Sequence, residues 1–299
     1  SGTPVFIGSS AGYGATNAYH SVLLGESAGY NATDAVDSNF IGYASGYGAT
    51  NASASNFIGN SAGTSATSAT YSNFFGNQAG YEATNARDSN FFGNQAGYGA
   101  TNSSYSNFFG SAAGRTATDA TRSNFFGDQA GYNANNASYS NIFGYRAGLR
   151  SGTDNIGSNN IIIGTNISLP NATANAINIG GVLFGTGTHS SVGGDPSITS
   201  ISGGRIGIGV VSPAYTLDVD GSAQVSGDLI IGGTCTGCLP SQTGNNGLFL
   251  TTDGTVASWG TLASSAVNVV NSSSLFSTGL AQTGESSVAS NAVFLGYST

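Results

Sequence analysis

Few residues in this chain have the types and spacing to do chemistry. The two cysteines stand together in Thr234-Cys235-Thr236-Gly237-Cys238-Leu239. Such a Cys-x-x-Cys pair can be a redox centre, half of a zinc site or a local disulfide. A redox centre wants a helix N-terminus in a βαβ setting, which a run of Gly and Thr does not offer. Zinc needs two further ligands, and the only histidines, His20 and His189, are isolated. A disulfide between Cys235 and Cys238, in an oxidising extracellular setting, fits best. Asp218-Val219-Asp220-Gly221 opens like a calcium loop, yet the twelfth position, where a glutamate belongs, is Leu229. Serine is too abundant, and histidine too rare, for any Ser-His-Asp set to carry meaning. No convergent carboxylate pair stands out either. The chain is expected to hold no catalytic residue, metal or cofactor, and not to be an enzyme.

What the sequence does carry is a repeat. Ser72-Asn73-Phe74-Phe75-Gly76-Asn77-Gln78-Ala79-Gly80-Tyr81-Glu82-Ala83-Thr84-Asn85-Ala86-Arg87-Asp88 is followed at once by Ser89-Asn90-Phe91-Phe92-Gly93. The first glycine of the motif recurs every seventeen residues from Gly8 through Gly76 to Gly144, and a second follows four residues later each time. A short period without insertions marks a solenoid, each repeat being one coil stacked on the last. Apolar pairs bounded by Gly and Asn are strand and turn signals, and no window has helical periodicity. The fold class expected is all-β, a β-solenoid or β-roll of 17-residue coils.

Each coil then reads as follows. Phe74-Phe75 and the equivalent pairs Phe91-Phe92, Phe108-Phe109 and Phe125-Phe126 form one short strand. Ala-Thr-x-Ala segments, such as Ala83 to Ala86, form a second that faces it, large side chains opposite small ones. Gly80 suits a corner with positive φ. Asn39, Asn56, Asn73, Asn90, Asn107, Asn124 and Asn141 stack as a ladder of amides, one per coil. Side chains alternate faces along a strand, so one member of each Phe pair fills the coil while the other points away. A column of such residues from Leu23 or Leu24 to Ile142 or Phe143 is larger than the apolar patches soluble monomers usually show. It is expected to be an interface.

Only 7% of the 299 residues are charged, lysine is absent, and Gly contributes 47. The strict repeat and the aromatic column argue for an ordered fibrous protein rather than low complexity. A net charge of −8 leaves no basic face for nucleic acid. No run of about eighteen apolar residues exists to cross a membrane. Methionine is absent even at position 1, which marks a mature product or a piece of a longer one. Seven Asn-x-Ser/Thr sequons, at Asn31, Asn51, Asn102, Asn136, Asn166, Asn171 and Asn271, are what chance gives in this composition.

With the glycine-terminated strand, the Ser-Ala-Gly or Gln-Ala-Gly that follows and the Ala-Thr-x-Ala segment, residues 5–165 resemble the head repeats of trimeric autotransporter adhesins. That resemblance implies a β-roll in which three chains pack side by side. The regular period ends at Gly144; Asn160-Ile161-Ile162-Ile163-Gly164 follows at a spacing of twenty, and Ile177-Asn178-Ile179-Gly180-Gly181 echoes it. The solenoid is expected over 1–185 with degenerate last coils, then a turn-rich connector over 186–203. Gly204-Arg205-Ile206-Gly207-Ile208-Gly209 through Leu217-Asp218-Val219, with Gly247-Leu248-Phe249-Leu250 to Ser258-Trp259-Gly260, resembles shaft modules of phage tail fibres and bacterial surface fibres. The resemblance covers 203–260 and implies an elongated, β-rich shaft module over 204–262, with a C-terminal β segment over 263–299. That segment finishes Val293-Phe294-Leu295-Gly296-Tyr297, which reads like the start of another repeat.

The function expected is that of a structural subunit of an extracellular or cell-surface fibre that assembles with copies of itself. Head-to-tail joining would pair Val293, Phe294, Leu295 and Gly296 of one copy with Val5, Phe6, Ile7 and Gly8 of the next. The alternative is an adhesive or receptor-binding module, of an adhesin or a virion tail fibre, with a host-surface or glycan ligand.

Overall fold

The computed structural model describes residues 2–151, 154–187, 203–224, 226, 249–252 and 257–260. Among them there is no helix; the chain is a β-solenoid of 17-residue coils. Ten strands come one per coil: β1 (Val5–Ile7), β2 (Val22–Leu24), β3 (Asn39–Ile41), β4 (Asn56–Ile58), β5 (Asn73–Phe75), β6 (Asn90–Phe92), β7 (Asn107–Phe109), β8 (Asn124–Phe126), β9 (Asn141–Phe143) and β10 (Ile161–Ile163). Each pairs in parallel with the next, position for position, so Asn73 meets Asn90 and Phe74 meets Phe91. The spacing of twenty is absorbed between β9 and β10, where Asn141 still meets Ile161.

Backbone conformation explains why the coil is not a helix. Between Ser72 and Asp88, six residues have positive φ: Gly76, Gln78, Gly80, Glu82, Asn85 and Asp88. Right- and left-handed residues alternate around the corners, and this alternation decides where each N–H points. The left-handed Gln78, Glu82, Asn85 and Asp88 donate back to Asn60, Thr64, Thr67 and Thr70 of the preceding coil. Asn73, Gly80 and Thr84 donate forward to Ser89, Ala96 and Ala100 of the following one. A left-handed non-glycine residue costs about 1–2 kcal/mol, offset here because its N–H finds a partner on an adjacent coil.

The interior is a column of aromatic rings walled by alanine. Phe40, Phe57, Phe74, Phe91, Phe108 and Phe125 are fully buried, as are Ala79, Ala83 and Ala86 in the coil between β5 and β6. Phe57 and Phe74 have ring centroids 4.7 Å apart and planes within 4°. Parallel rings in van der Waals contact at about 3.5 Å must then slide by roughly 3 Å, the offset stack that the ring quadrupole favours. Gly80 has φ +62, and a Cβ built there would sit inside the Phe74 ring carbons. That corner needs glycine for conformation and for space.

The Ala-Thr-x-Ala segment, expected to be a second strand, is less than that. It contributes single parallel bridges, Thr33 to Thr50 and on through Thr101 to Thr118. The left-handed Glu82 and Asn85 bracket Ala83 and Thr84 and hold the run between them to two residues.

Beyond β10 the direction of strand pairing changes. β11 (Ala176–Ile179) still runs parallel to β10, but β12 (Leu183–Thr186) turns back antiparallel to it. β13 (Arg205–Ile208) is antiparallel to β12, and β14 (Leu217–Val219) is parallel to β13, completing one 14-stranded sheet. The sheet thus continues across residues 183–186 and 205–219, on both sides of the expected connector. Residues 1–223 form one compact unit. In the other, 224–299, β15 (Phe249–Thr252) and β16 (Ala257–Gly260) make an antiparallel hairpin within the shaft-like stretch.

Candidate interaction surface

Strand alternation sorts each Asn-Φ-Φ triplet. The middle residue, Phe74 in β5, points into the coil; Asn73 and Phe75 both point out. The outer face of the sheet is therefore two parallel columns, one of amides and one of apolar side chains.

In the amide column, Asn56 Nδ2 donates to Asn73 Oδ1 at 2.8 Å, Asn73 to Asn90 at 2.8 Å, and Asn90 to Asn107 at 2.8 Å. The ladder runs unbroken from Asn39 to Asn141. All seven asparagines expected to stack do so. Each amide is satisfied along the axis, so the column can be desolvated at less cost than unpaired amides.

The apolar column is Ile7, Leu24, Ile41, Ile58, Phe75, Phe92, Phe109, Phe126 and Phe143, with Ile163 and Ile179 in register beyond. Phe75 and Phe92 stack at 4.7 Å, Phe92 and Phe109 at 4.8 Å. Stacking half-buries the central rings, while Ile7 is 58% exposed and Phe143 38%. At about 4.8 Å per coil the line from Ile7 to Phe143 is roughly 38 Å long. The structure thus assigns Phe74, Phe91, Phe108 and Phe125 to the core and Phe75, Phe92, Phe109 and Phe126 to the surface.

At the ends of the sheet the amide column gives way to apolar residues. Val5 and Val22 occupy its first two rungs, Ile161 and Ile177 those after Asn141. β1 hydrogen-bonds only to β2, so its other edge is free among the described residues. There Val5 and Phe6 are 46% and 42% exposed. Phe6 stands at the head of the buried column, with a side of its ring uncovered.

Two structural columns were not read from the sequence. Ser72 and its equivalents from Ser21 to Ser140 are buried. Ser72 Oγ donates to the Ala86 carbonyl at 2.6 Å and accepts the Ser89 N–H at 3.2 Å, clamping adjacent coils. The signal was serine before the Asn position in every coil from Ser21 to Ser140. Tyr13, Tyr30 and Tyr47 stack on the surface, as do Tyr81 and Tyr98. Arg115 takes the next place, its guanidinium 5.2 Å from the Tyr98 ring and 5.3 Å from that of Tyr132. A cation replaces a ring there without breaking the stack. Burial, then the Glu82 carboxylate and Tyr98, push the Tyr81 phenol up from its ordinary value.

Cys235, Cys238, Val293, Phe294, Leu295 and Gly296 lie outside the described residues. Among those that are described, no cluster of three metal-ligating side chains occurs, and no helix is long and apolar enough to cross a membrane. The chain matches no protein-family model and no curated protein.

Proposed function

We propose that this chain is a structural subunit of an extracellular or cell-surface fibre, built by association of copies of itself. The observation that carries the reading is the outer face: a long apolar column beside amides that already satisfy one another. Burying this face against another copy removes apolar surface from water at small polar cost.

Head-to-tail joining rests on β1. An unpaired strand edge is a template for an added strand. Val293-Phe294-Leu295-Gly296 repeats the pattern of Val5-Phe6-Ile7-Gly8 and of Val22-Leu23-Leu24-Gly25, including valine in place of the ladder asparagine. Added in register before β1, it would set Phe294 over the open ring of Phe6. A contact of this kind does not close on itself and propagates.

Electron micrographs of the purified chain test this. Filaments are expected, and deletion of Ala292 to Thr299 is expected to leave a folded solenoid that no longer elongates. Filaments of unchanged length from the truncated chain would rule out strand addition. Discrete rods of fixed length would favour the second reading, an adhesive or receptor-binding module, which the polar groove below supports.

A further inference from the structure

Away from the apolar column, the corner occupied by Asn85 carries its own ladder, which is broken between Asp34 and Asn85 and again after Asp119. Asn17 donates to Asp34 at 2.6 Å, Asn85 to Asn102 at 2.8 Å, and Asn102 to Asp119 at 2.7 Å. Between them the column reads Asp34, Asn51, Ser68, Asn85. Ser68 is too short to bridge its neighbours, and Asp34 has no N–H to give Asn51. Over these three steps no side-chain rung forms.

The adjoining column is interrupted at the same level. Ser53, Thr70 and Ser104 each donate a hydroxyl to the carbonyl nineteen residues back, those of Asp34, Asn51 and Asn85. In the coil between Thr70 and Ser104 the residue is Arg87, which reaches instead to Asp88, Nε to Oδ2 at 3.0 Å. Where both columns fail, the surface opens into a groove of about 660 Å³, lined by Asp34, Asn51, Ser53, Ser68, Thr70, Asn85, Arg87 and Ser104.

We infer that this groove is a binding site for a neutral, extended oligosaccharide. Its size falls within the range of small-molecule sites, about 300–1,000 Å³, but such sites are mostly apolar; this lining is hydroxyl, amide, one carboxylate and one guanidinium. The donors left over are the Asn51 amide, the Ser68 hydroxyl and the Arg87 terminal nitrogens. The acceptors left over are Asp34 Oδ2, its Oδ1 being taken by Asn17, and the Asn51 and Asn85 amide oxygens. Interleaved donors and acceptors suit a ligand whose every hydroxyl is both. Arg87 is neutralised by Asp88, which leaves the Asp34 carboxylate as the uncompensated charge of the lining, and a chain of net charge −8 does not attract a polyanion.

Aromatic residues stand next in sequence to two of the lining residues. Tyr71 follows Thr70 and Tyr105 follows Ser104, 56% and 44% exposed. They lie two coils apart, about 9.5 Å, close to the length of a disaccharide; Arg122 covers one face of the Tyr105 ring at 5.0 Å, and the uncovered ring surface is a platform for the apolar face of a sugar. The site stands whether or not copies of the chain associate through the outer face, so its failure would leave the fibre reading untouched.

The test is a titration of the full chain with neutral tetrasaccharides of β-1,4-linked glucose and β-1,4-linked N-acetylglucosamine, read by ligand-observed NMR and calorimetry. Ser68→Asn is the decisive variant. Asparagine adopts left-handed backbone readily. Its amide at this position would complete two of the three missing rungs, one to Asn51 and one to Asn85, closing the groove while strengthening the coil. The expected result is tetrasaccharide binding by the parent, weakened at least about tenfold in Ser68→Asn at an equal or higher melting temperature. Arg87→Ser, which restores the hydroxyl column, should weaken binding as well. No binding of either tetrasaccharide, unchanged binding in Ser68→Asn, or preference for a polyanionic tetrasaccharide of hyaluronan would each overturn the inference.

Discussion

Phe91 and Phe92 are adjacent, chemically identical and assigned opposite roles, which makes them a sharp internal control. Phe91 is fully buried and stacks on Phe74 at 4.8 Å and on Phe108 at 4.7 Å. Truncation to alanine removes roughly 100 Å³; at about 24 cal/mol per Å³ of unrelaxed cavity that alone is about 2.4 kcal/mol. Lost transfer energy raises the expected total to about 3–5 kcal/mol, the usual cost of deleting a buried Phe. The coil cannot collapse to fill the gap, because its height is set by hydrogen bonds to both neighbours. Phe92 is half-buried and has solvent on one side, so Phe92→Ala should cost the separated chain about 1–1.5 kcal/mol. Thermal unfolding followed by circular dichroism, in dilute unassembled protein, reads both. At about 2–4 °C per kcal/mol for a domain of this size, Phe91→Ala should lower the midpoint by roughly 6–20 °C and Phe92→Ala by a few degrees. Equal losses, or a larger loss at Phe92, would refute the assignment of inside and outside.

Other perturbations separate the columns from one another. Ser89→Ala should cost about 1–3 kcal/mol for each buried group it strands, the Ser106 N–H and the Ser103 carbonyl, measured by urea unfolding. Gly97→Val should prevent stable folding of its coil, because φ is +63 and the added carbons meet the Phe91 ring; proteolysis at that coil is the readout. Asn90→Asp cannot donate to Asn107 Oδ1 when ionised, so its carboxyl should titrate above the ordinary range. The folded state then binds the proton more tightly than the unfolded one, so the deficit at neutral pH should shrink as pH falls through the raised folded value and be gone by about pH 4, the ordinary aspartate value; unfolding midpoints at two pH values decide.

Much of this fold was legible because each coil repeats the same local problem. The seventeen-residue period of Gly8 to Gly144 specified the stacking, and strand alternation required one Phe in and one out. Which of the two went inside was not readable. That choice is set where Gly80 clears the space over Phe74, a contact across the coil. The second strand does not form because Thr84, extended by its residue type, is confined by the left-handed Glu82 and Asn85, which carry no compositional mark. The serine clamp is written plainly at Ser72 and Ser89, but serine is so common here that its regularity does not stand out. The groove at Ser68 is legible only after the ladders are known, since it is made by two columns breaking at one level.

Self-association through the outer face is most directly tested by sedimentation velocity of the full chain over a wide concentration range. Burial of the Phe75 to Phe126 column between copies requires species heavier than the 29.7 kDa chain, growing with concentration. It also requires that they dissociate when Phe92 and Phe109 are both replaced by glutamate. A single 29.7 kDa species at every concentration would contradict it.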